Sequence, residues 1–266
     1  MPALWMPILA KAASTALVVV LASALAEAIG PFWGALVASL PVSAGPAYVF
    51  LAMQHDGDFV AASALSSFAA NASVGLFLIV YALTAGRRSL WQSLGAALAA
   101  WLVASLAIRQ IGWTTGSALL LNLAVYSAGF SLLRGMTTTG RANVIVKRSW
   151  FDLPLRAAAV AIFVSGLVLA SSVLGPEATG IAAVFPISLS SLLVIVRPRI
   201  GGPASVVLAA TALRAMAGFG LALLALHLAI PPWGTNAALA LALCVTMAWS
   251  GGLLALKTRS RAGLPD

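Results

Sequence analysis

The chain has 266 residues, of which 62% are hydrophobic and 8% charged, and its mean hydropathy is +1.05. A soluble globular chain carries roughly a quarter charged residues, so that class is excluded. Apolar runs of about 20 residues are long enough to cross a hydrocarbon layer of about 30 Å. The net charge of +9 sits mostly in short loops between those runs, where it reads as a topology signal rather than a nucleic-acid footprint.

Hydropathy predicts an all-α, polytopic transmembrane bundle of about nine spans, near 5–29, 32–53, 58–85, 89–109, 115–133, 153–175, 177–197, 203–230 and 235–257. Lys11, the apolar run behind it and Ala22–Ala26 imitate a secretory signal with a small-residue cleavage site. A similar run recurs internally at 156–175, where it cannot be a signal, so the first stretch is expected to stay as a helix. The connections are short and marked by Gly30-Pro31, Gly57, Gly86, Gly112, Gly175-Pro176, Gly201-Gly202 and Pro231-Pro232. Only Arg134 to Trp150 is long, and it carries Arg134, Arg141, Lys147 and Arg148. It divides the chain into 1–133 (four spans and a connecting fifth), a basic linker over 134–152, and 153–266 with a basic tail. Cys244, the single cysteine, lies in an apolar run and has no disulfide partner.

The two parts repeat one another. A shift of 145 places Lys11 on Arg156, Gly30-Pro31 on Gly175-Pro176, Pro41-Val42-Ser43 on Pro186-Ile187-Ser188, Gly57 on Gly202 and Gly75 on Gly220. Eleven basic residues, at 87, 88, 134, 141, 147, 148, 197, 199, 257, 259 and 261, fall on one side when the spans alternate. By the positive-inside rule that side is cytoplasmic, with the N-terminus outside and the C-terminus inside an inner (cytoplasmic) membrane. Five spans separate span 1 from span 6. An odd number reverses the sense of the second copy, so the expectation is two inverted four-helix repeats joined by a connecting helix. Secondary transporters are often built in this way.

Lys11-Ala12-Ala13 with Pro41, and Arg156-Ala157-Ala158 with Gly180, Phe185 and Pro186, resemble the GlpM-type family of small membrane proteins. The likeness covers the first two helices of each half and departs at Ala35, where the second copy has Gly180. It implies two such units fused with one added helix, and it speaks to architecture more than to activity.

Candidate functional residues come from the cost of polar groups in lipid. Pro41 and Pro186 fall near the middle of spans 2 and 7, each followed by a serine, Ser43 or Ser188. A proline frees helix carbonyls, and broken helices at matching places in two inverted halves point to a midplane binding site. A structural kink satisfied by the serine is the open alternative. Arg214 lies halfway along span 8, and its counterpart Ala69 is neutral. It either binds an anionic substrate or is a structural cation held by freed carbonyls. Asn71, near Ser67 and Ser73, could face a cavity or serve helix packing. Lys11 and Arg156 read as snorkelling interfacial residues or as basic gates, and Glu27 as an ion-pair partner or proton carrier. Glu177 reads as a first-turn acid, and His227 as interfacial. His55-Asp56-Gly57-Asp58 makes a poor metal site, and no metal or other cofactor is expected.

With no Walker, dinucleotide or CxxC motif, an enzyme is not expected. The reading is a secondary transporter or permease for a small anionic solute, working by alternating access, with membrane lipids around it, no nucleic acid, and a homodimer left open. The rival is a non-transporting scaffold or an accessory subunit for lipid or polysaccharide export.

Overall fold

The computed structural model describes residues 44–136 and 152–262. They form six helices: α1 (Ala44–Gln54), α2 (Gly57–Ala85), α3 (Leu90–Arg109), α4 (Thr115–Leu133), α5 (Asp152–Ala183) and α6 (Ile187–Ala262). Among the described residues there is no strand. Lys11, Glu27, Pro41, Ser43, the first span and most of the linker lie outside the described residues.

Local chemistry sets the helix starts. Asp56 caps α2 by accepting the Phe59 N–H. Ser89 with Gln92, and Thr114 with Ser117, form reciprocal capping boxes at α3 and α4. The helices α2, α3 and α4 match the expected spans to within a residue.

Four stretches are long and apolar enough to cross a membrane: Gly57–Ala85, Leu90–Arg109, Thr115–Leu133 and Ala158–Leu256. The last, at 99 residues, would reach about 150 Å if straight. It is interrupted instead at Gly175, Gly201 and Gly234, whose φ values are 73°, 80° and 78° with ψ at 165–172°. Only glycine takes up that backbone region without strain. Pro176 follows the first break and Pro203 the second, where proline suits a restarting helix.

α2 is the axis of the bundle. Its residues 66–75 are all buried, which needs neighbours all round, and α3, α4, α5 and α6 all pack against it. The 202–233 segment of α6 runs antiparallel to α2. Gly57 meets Ile230, Asn71 meets Met216, and Ala85 meets Gly202, so 14 residues along one helix match 14 back along the other. The contact at Ala85 is close enough that a Cβ on Gly202 would run into the Ala85 carbonyl oxygen. In lipid, where burial of apolar surface drives no association, such close packing of small residues holds helices together. The 235–262 segment folds back in turn, with the Trp249 indole lying on Gly218 and donating to the Arg214 carbonyl (2.9 Å).

The residues expected to form one span over 177–197 pack alongside α2 but in two pieces. Ser63 donates to the Pro176 carbonyl (3.0 Å) and Ser67 to the Gly180 carbonyl (2.5 Å). Further along, Arg197 reaches Ala85. The helix stops at Ala183 and restarts at Ile187, so Pro186 lies in a break rather than inside a helix. Proline offers no N–H, and it pushes the residue before it out of the helical region.

Candidate functional site

The pairings of Ser63, Ser67 and Ala85 bracket the break at 184–186 and put it level with Asn71, the central residue of α2. Phe185 fills the gap. Its ring stands edge-on to Trp101 of α3 (4.9 Å between centroids) and tilted against Phe163 of α5 (5.5 Å). The Phe185 N–H bonds back to Ala182 (2.9 Å) and the Ile187 N–H to Phe185 (2.7 Å), while Ser190 N–H takes the Pro186 carbonyl (2.8 Å). The restarting helix presents its N-terminus, where first-turn N–H groups lack helical acceptors and the dipole favours negative charge.

Buried polar atoms near this level are left over. Ser188 Oγ and Ser190 Oγ, in the first turn after the break, make no hydrogen bond among the described residues. The same holds for Trp101 Nε1 and for Thr179 Oγ1, on the piece before the break. Buried hydroxyl and N–H groups normally have partners. Serine in a helix has an easy one in a preceding carbonyl, which Ser191 uses and Ser188 and Ser190 do not.

Asn71 is fully buried and belongs to a separate knot on the α4 and α6 side. Its Nδ2 donates to Asn122 Oδ1 and to the Met216 carbonyl, both at 3.2 Å. Asn122 Nδ2 donates to the carbonyls of Phe68 (2.7 Å) and Ala118 (2.9 Å). The Tyr126 hydroxyl donates to the Asn71 carbonyl (3.2 Å). Gly220 leaves the room, since a Cβ there would stand 2.7 Å from Asn71 Nδ2. Asn71 Oδ1 has no partner among the described residues.

The arginines divide differently from the sequence expectation. Arg214 is exposed. It lies two residues, about 200° round the helix, from Met216, which faces α2. It therefore points away from α2. Arg156 is half-buried near the start of α5. Arg197, expected in a basic loop, lies inside α6 and is 7% exposed. Its guanidinium donates to the carbonyls of Ala85 (2.8 Å), Ser89 (3.1 Å) and Arg88 and lies 5.8 Å from the Tyr81 ring centroid. It closes the C-terminus of α2, where unpaired carbonyls and the negative end of the dipole call for a cation.

Sequence reasoning brought out Pro186, Ser188 and Asn71 and missed Trp101, Ser190, Asn122 and Arg197. Asn122 was visible in principle, as the lone amide in the run Leu119-Leu120-Leu121-Asn122-Leu123. No family model, curated protein or solved structure matches this chain.

Proposed function

We propose that this protein is an inner-membrane secondary transporter or permease for a small anionic solute, built of about nine spans in two inverted repeats and working by alternating access. The observation that carries the reading is the helix break at 184–186. It lies level with the middle of α2, opens a helix N-terminus there, and leaves Ser188 and Ser190 without side-chain partners among the described residues. In this reading those hydroxyls and the first-turn N–H groups receive the anionic part of the solute, with Trp101 at the side. Pro41 and Ser43 are the counterparts in the other repeat. Lys11 and Arg156 are the gates of opposite faces, Glu27 is a proton carrier, and Arg214 attracts anions on the outward side of its helix.

Support for inverted repeats comes from the pairing of α2 with 202–233. Asn71 meets Met216, the residue 145 positions on, which is its own counterpart in the repeat. The same shift exchanges the other two contacts, turning Gly57–Ile230 into Gly202–Ala85. A residue touches its own counterpart only near a two-fold axis. The Ser73–Ser105 hydrogen bond (2.9 Å) likewise has a near counterpart in the packing of Trp249 on Gly218. The likeness of each half to the GlpM-type family would fit a fusion of two such units.

The scaffold reading has one observation of its own, the continuous burial of α2 around the Asn71 knot. One experiment separates the two. Place cysteine at Ser188 in a Cys244→Ala background and add a membrane-impermeant thiol reagent to either side of sealed vesicles. Transport predicts labelling from at least one side, slowed by the anion that the vesicles take up. It also predicts that Ser188→Ala lowers uptake about tenfold, the loss of one hydrogen bond to a charged group. A cysteine dark from both sides, with uptake unaffected by Ser188→Ala, would sink the transport reading and favour the scaffold.

A further inference from the structure

The chain has two histidines, and the fold brings both to one end of the bundle, opposite the end that Arg197 closes. His55 stands in the turn before α2, and His227 lies one turn from the Gly57–Ile230 contact. Each ties a different neighbour to α2. His55 Nε2 is 2.7 Å from Ser171 Oγ of α5, and its ring stacks on Phe59 of α2 at 3.7 Å between centroids. His227 Nδ1 is 2.9 Å from the Ala61 carbonyl oxygen of α2, and its Nε2 is 3.3 Å from Thr115 Oγ1 of α4. Both rings are half-buried.

The partners fix where the hydrogens sit. A carbonyl can only accept, so His227 carries its hydrogen on Nδ1. The Ser171 hydroxyl already donates to the Val168 carbonyl (2.7 Å). It therefore accepts from His55, whose hydrogen is on Nε2. Thr115 can donate or accept. A second proton can enter at His55 Nδ1 or His227 Nε2 without breaking any of these bonds, since Thr115 has only to turn its hydroxyl. The bonds then become charge-assisted and stronger. The other charged side chains at this end, among the described residues, are Asp56 and Asp58 beside His55, Arg109 at the close of α3 and Glu177 at the second piece of α5, all exposed. Asp56 is engaged with the Phe59 N–H.

We propose that this end is a proton-binding latch. Protonation of His55 and His227 strengthens the ties that hold α5, α4 and the 202–233 segment to α2, and loss of those protons loosens them. Histidine is the side chain whose charge ordinarily changes between about pH 5 and 8. Charge-assisted ties at this end favour closure in acid. The latch stands on the hydrogen-bond geometry alone. Naming the proton as the coupling ion rests on the transport reading.

Spin labels test it without any transport assay. In a Cys244→Ala background, nitroxides are placed at Val173→Cys and Leu228→Cys, two exposed positions on α5 and on the 202–233 segment at the histidine end. A second pair, Arg87→Cys and Leu256→Cys, is exposed at the arginine end. Pulsed dipolar spectroscopy in lipid nanodiscs at pH 5 and pH 8 then gives both distances. The first pair is expected to shift to longer, broader distances at pH 8 while the second stays fixed. The shift should vanish in H55Q/H227Q, and each single variant should keep part of it if the double variant does not fold. A first pair that ignores pH overturns the latch. So does a shift that survives both glutamines, or one that appears equally at both ends. Failure of every uptake assay would leave this measurement intact.

Discussion

The two ends of the bundle are closed by the same two helices in one register, yet by different chemistry. At one end Gly202 lies against the Ala85 carbonyl, and the Arg197 guanidinium gathers three carbonyls around it. At the other, Gly57 lies against the Ile230 side chain, and the imidazoles of His55 and His227 make the ties. The 145-residue shift in the sequence relates neither set to the other. Arg197 corresponds to Ala52, His227 to Ala82 and His55 to Ile200. Each end has its own fastening. One is a guanidinium that forks to several carbonyls, and the other is a pair of imidazoles that each bond a single neighbour at each ring nitrogen they use.

The largest effect should come from breaking the arginine end. Arg197→Met leaves the carbonyls of Ala85, Arg88 and Ser89 without their donor, at a cost of about 3 kcal/mol. Unfolding by denaturant in mixed micelles would measure it. Arg197→Lys should recover less than half, because an ammonium does not fork to several carbonyls as a guanidinium does. Full recovery by lysine would mean that the end needs only a positive charge.

A pair of alanine substitutions at corresponding glycines compares the ends directly. A Cβ at Gly202 would strike a backbone carbonyl that cannot move alone, so Gly202→Ala should cost about 2 kcal/mol by forcing the helices apart. A Cβ at Gly57 would stand 3.3 Å from Ile230 Cγ2, the tip of a side chain that can turn aside, so Gly57→Ala should cost under about 1 kcal/mol. Equal costs would mean that the ends are packed alike, and that their difference is confined to the charged groups.

Much of this was legible in the sequence, for identifiable reasons. The helices α2, α3 and α4 came out correctly because hydropathy and local caps such as Asp56, Ser89 and Thr114 point to the same boundaries. The glycine breaks at 175 and 201 were marked by the pairs Gly175-Pro176 and Gly201-Gly202. Pro186 signalled an interruption, though not that the helix would stop and restart around it. Arg197 misled: Val196-Arg197-Pro198-Arg199 looks like a basic loop. Its burial depends on carbonyls from about 110 residues earlier, which no local pattern encodes. Trp101 misled by silence, since its contact with Phe185 exists only once α3 stands beside the break. The two histidines are single polar residues whose meaning lies in what they meet, and their meeting at one end depends on α6 turning back at Gly201.

A small effect is also expected midway between the ends, at Asn71. Asn71→Leu removes the bonds to Asn122 and Met216, but it also removes Asn71 Oδ1, an acceptor without a partner among the described residues. Polar contacts between helices in lipid are worth about 0.6 kcal/mol on average, because the unfolded helices in the membrane find partners too. The cost should therefore be about 1 kcal/mol, with part of it recovered in the double variant with Asn122→Leu, where Asn122 no longer stands exposed to an apolar neighbour. Neither substitution should move the spin-label distances at the two ends, because the fastenings there involve neither amide. A shift at both ends would instead make the knot the pivot on which α2 and the 202–233 segment turn, and the ends would then be consequences of it.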